Sequence, residues 1–261
     1  MNLLKFYLKT GAFLTVTLAL APFYVFILLI LYGWRKRIGP VLVQYYSKLC
    51  LLIFRVDTEV LGNPGMLRRV GKGVLIIANH ASFLDIFVLS ALFGSVFVSK
   101  SEVKYYPIIG QIAWLMGVIF LDRRSANERM RVLNRIVNNC ENQVIAVFPQ
   151  GTTSGITERL PFNRGIFKVV QINPDISLLP VTLRYREDAK IAWNKPQSLR
   201  ENALRVSSER NIHVAVIVHD PIAIDHYQGK TASEICRMVQ QTVLDPLQTG
   251  HRNSWVRSAA D

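Results

Sequence analysis

Residues His80 and Asp85 stand five positions apart inside an otherwise apolar stretch, VLIIANHASFLDIFVL, which runs from Val74 to Leu89. Set in such surroundings, an imidazole and a carboxylate can move a proton. The carboxylate holds one ring nitrogen protonated and leaves the other free to take a proton from a hydroxyl. A satisfied core histidine beside a helix-capping aspartate is the plain structural alternative. The flanking pattern locates the pair: Val74–Ala78 reads as a buried strand, so Asn79 and His80 lie just past its C-terminal end, where α/β proteins place ligands. Ser82 is then the expected cap of the next helix, with Asp85 in the first turn, a favourable place for a carboxylate.

Three further apolar runs break into polar residues in the same way. GVIFLDRR (Gly117–Arg124) ends in Asp122, Arg123 and Arg124, and VFPQGTTS (Val147–Ser154) ends in a loop of Gln150, Gly151, Thr152 and Thr153. LPFNRGIF (Leu160–Phe167) carries Arg164 and Gly165 into a helix, and Leu178–Val181 is the short run LLPV. Arginine at a strand end, a Gly/Thr loop and a helix start together make an anion site, although each piece alone reads as an ordinary strand-to-helix turn. No G-x-S-x-G is present to supply a serine nucleophile. The three cysteines, Cys50, Cys140 and Cys236, are far apart, which suits a reduced compartment and offers neither a disulfide framework nor metal-ligand spacing.

The elements that must position these residues alternate along the chain. Strands are expected at Val74–Ala78, Val96–Ser99, Val118–Leu121, Val144–Phe148, Ser177–Leu183 and His213–Val218. Helices are expected near Ser82–Leu92, Pro107–Met116, Ala126–Cys140, Gly165–Ile172 and Ala232–Leu247. This order predicts an α/β fold, a mixed sheet flanked by helices. The polar stretch Glu187–Arg210 reads as an exposed excursion without obvious chemistry.

The first 60 residues are different. Between Lys9 and Arg35 lie 25 uncharged residues, enough for a helix to cross the hydrocarbon core. The run ends in Tyr32-Gly33-Trp34 and Arg35-Lys36-Arg37, an aromatic anchor beside a basic cluster that puts the following domain on the cytoplasmic side. Pro22 leaves a kinked or re-entrant helix pair open beside a single span, and Val41–Val56 looks amphipathic rather than spanning. The chain is thus divided into a membrane-anchoring segment, 1–60, and an α/β domain, 61–261, separated near the turn Asn63-Pro64-Gly65. Its 261 residues hold 31 Lys and Arg against 18 Asp and Glu, a formal charge of +13. With a mean hydropathy of +0.23 and basic residues scattered without a nucleic-acid motif, anionic membrane lipids are the expected partner, not nucleic acid.

These blocks, taken in order, resemble the glycerolipid acyltransferase family, whose best-known members are the 1-acyl-glycerol-3-phosphate acyltransferases. Asn79, His80 and Asp85 match its N-H-x-x-x-x-D, with Ser82 at the frequent intervening serine. Gly117, Phe120, Asp122 and Arg123 match G-x-x-F-x-D-R. Phe148, Pro149, Gly151, Thr152 and Ser154 match F-P-E-G-T-R-S, and Leu179-Pro180-Val181 the short apolar-Pro-Val block. The resemblance covers about Val74 to Val181, and a membrane segment ahead of it is typical of the family.

What it implies is acyl transfer from acyl-CoA or acyl carrier protein to the free hydroxyl of a lysophospholipid. The foremost candidate is 1-acyl-sn-glycerol-3-phosphate, giving phosphatidic acid. No resident cofactor is implied, and the acyl thioester is a co-substrate. His80 would be the general base and Asp85 its orienting carboxylate. Asn79, Ser82, Asp122, Arg123, Gln150, Gly151, Thr152, Thr153 and Arg164 would line the substrate site.

Three departures bear on the acceptor. Gln150 replaces the family's Glu, and Thr153 an arginine, while Asn163 stands where a lysine is often found. Exchanging a bidentate guanidinium for a hydroxyl is a large change at a phosphate site. A differently headed acceptor such as lyso-ornithine lipid, a lipid-binding pseudoenzyme and a thioesterase admitting water therefore stand as alternatives.

Overall fold

The computed structural model describes residues 3–63, 65–66, 73–105, 109–115, 117–121, 126–155, 158, 160–194 and 196–247. Helix α1 (Leu3–Ile30) turns back through a short 3-10 helix at Tyr32–Trp34 into α2 (Arg35–Phe54). Then follow β1 (Val56–Gly62), β2 (Val74–Ala78), α3 (Leu84–Phe93), β3 (Val96–Lys100), α4 (Ile109–Leu115), β4 (Ile119–Leu121), α5 (Ala126–Cys140) and β5 (Ile145–Val147). Further along come a 3-10 turn at Arg164–Lys168, α6 (Val169–Ile172), β6 (Ser177–Tyr185), α7 (Asp188–Ile191), α8 (Leu199–Ser208), β7 (Ile212–Val218), α9 (Ile224–Tyr227) and α10 (Ala232–Leu244).

Among the described residues the strands form one seven-stranded sheet in the order β1-β7-β6-β2-β5-β3-β4. β2 to β6 run parallel, β7 is antiparallel to β6, and β1 lies parallel to β7 over seven residue pairs from Val56↔Ile212 to Gly62↔Val218. The sheet is mixed, as expected.

Its centre is β2, VLIIA, buried along its whole length, the signature of a parallel strand covered on both faces. Alternate residues feed the two layers. Ile76 and Ala78 pack with Leu51, Phe54, Leu84, Val88 and Leu89 of α2 and α3. Leu75 and Ile77 pack with Val132, Ile136, Ile235 and Val239 of α5 and α10. Spacings of three and four in α5 bury Val132, Leu133, Ile136, Val137 and Cys140 while Arg131, Asn134 and Arg135 face out. Capping boxes open α8 (Ser198 with Glu201) and α10 (Thr231 with Glu234).

Four expectations are revised. β1 begins at Val56, upstream of the 60/61 division, so the first strand of the sheet follows directly from α2. Arg55 makes the turn between them in the left-handed region (φ 56°), its N–H donating to the Leu51 and Leu52 carbonyls. α1 continues through Pro22, and the helix pair is made instead by the turn at residues 31–34. The cap of α3 is Phe83, not Ser82. The stretch Glu187–Arg210 is not an idle excursion: it carries α7 and α8, and the segment between them reaches the site.

The helix pair is antiparallel and fastened to the domain along its length. Lys9 Nζ donates to the carbonyls of Phe54 (2.9 Å) and Glu209 (2.8 Å), at the C-terminal ends of α2 and α8, a favourable place for an ammonium. Thr17 Oγ1 and the Tyr46 hydroxyl are hydrogen-bonded at 2.7 Å, and the Tyr24 hydroxyl donates to the Leu42 carbonyl. Gln44 Nε2 in turn donates to the Ala91 carbonyl in α3 (3.0 Å). α1 contains a 25-residue stretch, Leu3–Ile27, long and apolar enough to cross a membrane. Its outer side is apolar and open: Leu4, Leu8, Leu18, Phe23, Phe26 and Ile30 are 58–68 % exposed.

Candidate active site

His80 leaves the C-terminal end of β2 and is held by its backbone. Its N–H donates to Gln150 Oε1 (2.7 Å), and its carbonyl accepts the N–H of Ser154 (2.9 Å). Gln150 Nε2 donates to Ser154 Oγ (3.3 Å) and closes the loop on itself. Gly151 turns that loop at φ 72°, a conformation that disfavours a side chain. The ring of His80 stacks on Phe148 at 4.0 Å between centroids and 9° between planes, and Phe148 stacks in turn near Phe97. The imidazole is thereby sandwiched on one face and left 17 % exposed.

Asp85, fully buried in the first turn of α3, is saturated with donors. Its Oδ2 accepts His80 Nδ1 at 2.8 Å, the N–H of Ala81 at 2.7 Å and the N–H of Ser82 at 2.9 Å. Its Oδ1 accepts the hydroxyl of Tyr185 at 2.7 Å. A carboxylate beside Nδ1 fixes the proton there, so Nε2 is the ring nitrogen with a free lone pair. Burial, then the charges of Asp85 and Asp188, push the Tyr185 phenol well above its ordinary value, so it stays a donor.

Several residues expected at the substrate are turned inward instead. The Asn79 amide is engaged at both ends, donating to the Leu183 carbonyl (2.8 Å) and accepting the Leu183 N–H (2.7 Å), which ties the tip of β2 to β6. Ser82 is fully buried and accepts from the Leu84 N–H at 3.4 Å. Thr153 is 8 % exposed, and its hydroxyl donates to the Trp193 carbonyl (2.8 Å). Gly151 and Thr152 are half-buried in the loop beside His80. Arg164 is exposed and follows Asn163, whose N–H donates to the Pro149 carbonyl (2.9 Å), so it stands against the same loop. Asp122 and Arg123 lie outside the described residues. Among the described residues no cluster of His, Cys, Asp or Glu has the makings of a metal site.

Sequence reasoning missed Tyr185, Phe148 as a stacking partner, and Trp193. The Trp193 N–H donates to the Ala81 carbonyl (2.7 Å), and Asn194 Oδ1 accepts the Gly155 N–H (2.9 Å). The link between α7 and α8 thus splints the His80 turn to the Thr153 loop. A Cβ at Gly155 would meet Asp188 Oδ2 at 2.9 Å, so the loop lies tight against α7. Only the aromatic character of Trp193 within a polar stretch could have drawn notice.

An ordered base and carboxylate, with no nucleophilic side chain hydrogen-bonded to the imidazole among the described residues, suit deprotonation of an incoming hydroxyl. Comparison with known proteins agrees with that chemistry. Residues 60–184 match the family model named Acyltransferase. A 1-acyl-sn-glycerol-3-phosphate acyltransferase of Neisseria gonorrhoeae is 37 % identical over 121 residues, 45 % of this chain and 46 % of the relative. The chain thus spans about half the length of that relative. A lyso-ornithine lipid O-acyltransferase of Rhodobacter capsulatus is 26 % identical over 237 residues, covering 85 % of this chain and 83 % of the relative. The crystal structure of the 1-acyl-sn-glycerophosphate acyltransferase PlsC from Thermotoga maritima superposes with a TM-score of 0.63 over 95 % of this chain and 100 % of its own, at 17 % identity, and shares its fold. With the blocks in order and the dyad at the strand end, the match marks residues 60–184 as an acyltransferase domain.

Proposed function

We propose that the protein moves a fatty acyl group from a thioester, acyl-CoA or acyl carrier protein, to the free hydroxyl of a lysolipid. The observation that carries this reading is the His80–Asp85 pair at the end of β2, held at 2.8 Å with its outer nitrogen unpaired among the described residues. Nε2 takes the hydroxyl proton as the oxygen attacks the thioester carbonyl. Asp85 stabilises the imidazolium that forms, and the tetrahedral oxyanion collapses with cleavage of the C–S bond. The imidazolium returns its proton to the departing thiolate, leaving an ester and a free thiol. Base catalysis of this kind contributes about 10²–10⁴-fold, and orientation of two substrates supplies much of the rest.

The leading acceptor is 1-acyl-sn-glycerol-3-phosphate, with Arg164 and the Gly151–Thr152 loop as phosphate ligands together with Arg123. A second reading, an acceptor with another headgroup such as lyso-ornithine lipid, is favoured by Thr153. That residue stands at the family's arginine position and spends its hydroxyl on Trp193.

The bilayer side of the molecule is the α1–α2 pair. Because α1 is fastened at Lys9, Thr17 and Tyr24 along α2, we read it as lying in one leaflet with its apolar outer side in lipid. We read the catalytic domain as lying on the cytoplasmic face, a reading supported by the basic cluster Arg35, Lys36 and Arg37.

The test is thioester consumption by detergent-purified protein offered a panel of lysolipids, with His80→Ala in parallel. Acceptor-dependent turnover lost in His80→Ala is expected. Equal, acceptor-independent turnover in both proteins overturns the reading.

A further inference from the structure

Tyr185 lies 100 positions from Asp85 in the chain, yet its hydroxyl is the hydrogen-bond partner of Asp85 Oδ1 at 2.7 Å. Both residues are almost wholly buried, Asp85 at 0 % and Tyr185 at 2 % exposure. The two carboxylate oxygens therefore have separate tasks. Oδ2 gathers three N–H donors, including His80, while Oδ1 faces the phenol at the end of β6. The titratable groups around this oxygen are Asp85 itself on α3, His80 on the turn after β2 and Asp188 at the start of α7.

From this geometry, and resting on the acyl-transfer reading above, we propose that Tyr185 is the third member of the proton-transfer array. It is a positioning residue that draws charge from Asp85 and so tempers the hold of the carboxylate on the His80 imidazolium. The physical reason is direct. A hydrogen bond donated to a carboxylate spreads its charge, and a less concentrated charge at Oδ2 holds the imidazolium less strongly. Without the phenol, the buried carboxylate leans entirely on its remaining donors and on the imidazolium, and His80 keeps its proton to higher pH. Neighbouring Asp188 acts in the same sense on Tyr185, keeping the phenol protonated and therefore donating.

The experiment is a ring titration of His80 in detergent-solubilised protein carrying ¹⁵N-histidine, with the signal identified by its loss in His80→Ala. In Tyr185→Phe the titration midpoint is expected to move up by about one pH unit, the size of a single hydrogen bond to a charged group. The acid limb of the kcat/KM profile is expected to move with it, while the acceptor KM stays unchanged. Fluorotyrosine placed at position 185 keeps the ring packed and makes the phenol a stronger donor, so the midpoint is expected to move down. This second variant answers the question if the phenylalanine protein does not fold.

A midpoint that stays put or falls in folded Tyr185→Phe, or stays put or rises with fluorotyrosine, overturns the proposal and leaves Tyr185 a core residue. The ring titration needs no turnover. A wild-type protein that transfers no acyl group therefore defeats the acyl-transfer reading without touching this measurement.

Discussion

Replacing Asp85 by asparagine separates the charge of the dyad from its shape. The amide oxygen can occupy the place of Oδ2 and keep the three N–H bonds from His80, Ala81 and Ser82. The amide nitrogen then faces Tyr185, whose hydroxyl can rotate to accept. What is lost is the anion beside the imidazolium that forms as the hydroxyl gives up its proton. A hydrogen bond to a charged group is worth about 1.5–3 kcal/mol against about 0.5–1.5 for a neutral one. The Coulomb attraction of unit charges ~4 Å apart at an effective dielectric of 20 is about 4 kcal/mol. The transition state is therefore destabilised by about 2–4 kcal/mol, a loss of ~30- to 1,000-fold in kcat. Asp85 is fully buried behind His80, so the acceptor KM is expected to hold. The assay is steady-state thioester release with the acceptor varied, beside a thermal melt to show that the variant is folded. A folded variant within threefold of wild-type kcat, or one whose defect is confined to KM, refutes the reasoning.

Three further outcomes are expected. Asn79→Ala strands both the N–H and the carbonyl of Leu183 in the core, at about 1–3 kcal/mol each, so the melting temperature drops by several degrees; an unchanged melt would mean that Asn79 holds nothing together. Lys9→Met removes the bonds to the Phe54 and Glu209 carbonyls, and hydrogen exchange in residues 3–12 is expected to quicken while kcat is retained; unaltered protection counts against the lengthwise fastening of α1. Burial holds the His219 imidazole below its ordinary value of 6.5. The unfolded chain therefore binds that proton more readily than the folded one, so stability is full above about pH 6.5 and declines as pH falls below it. Melts of wild type and His219→Gln between pH 5 and 8 check this, and equal slopes would remove His219 from the account.

The His80–Asp85 pair was legible because its spacing is local. A strand end and the first turn of the next helix bring His80 and Asp85 together whatever the rest of the chain does. The strands expected downstream fell within a residue or two for the same reason, since apolar runs bounded by polar turns are a local signal. Side-chain direction was not legible. Asn79, Ser82 and Thr153 sit within motif blocks, and their types suit a ligand as well as a backbone carbonyl; the demand of buried strand ends for partners turned them inward. Nor did spacing connect Tyr185 or Trp193 to the site, because the placement of β6 beside β2 is a property of the whole topology. β1 was hidden by composition. Asp57 and Glu59 alternate with Thr58 and Val60 on an edge strand, so the segment resembled neither a buried run nor a helix.

The pairing of β1 with β7 has a consequence for how the chain is made. Asp57 and His213 are neighbours across the sheet although 156 positions separate them. During synthesis the helix pair and β1 emerge long before β7 exists, so β1 waits with an unpaired edge, the kind of surface that invites wrong partners. Closing so long a loop is slow. Lys9 waits as well, since one of its two carbonyls belongs to Glu209. A nascent chain stopped before residue 212 therefore leaves the edges of both β1 and β6 that β7 would cover without a partner strand. Early capture of the apolar helix pair by lipid would hold the waiting strand apart from its counterparts on neighbouring ribosomes until the last strand arrives.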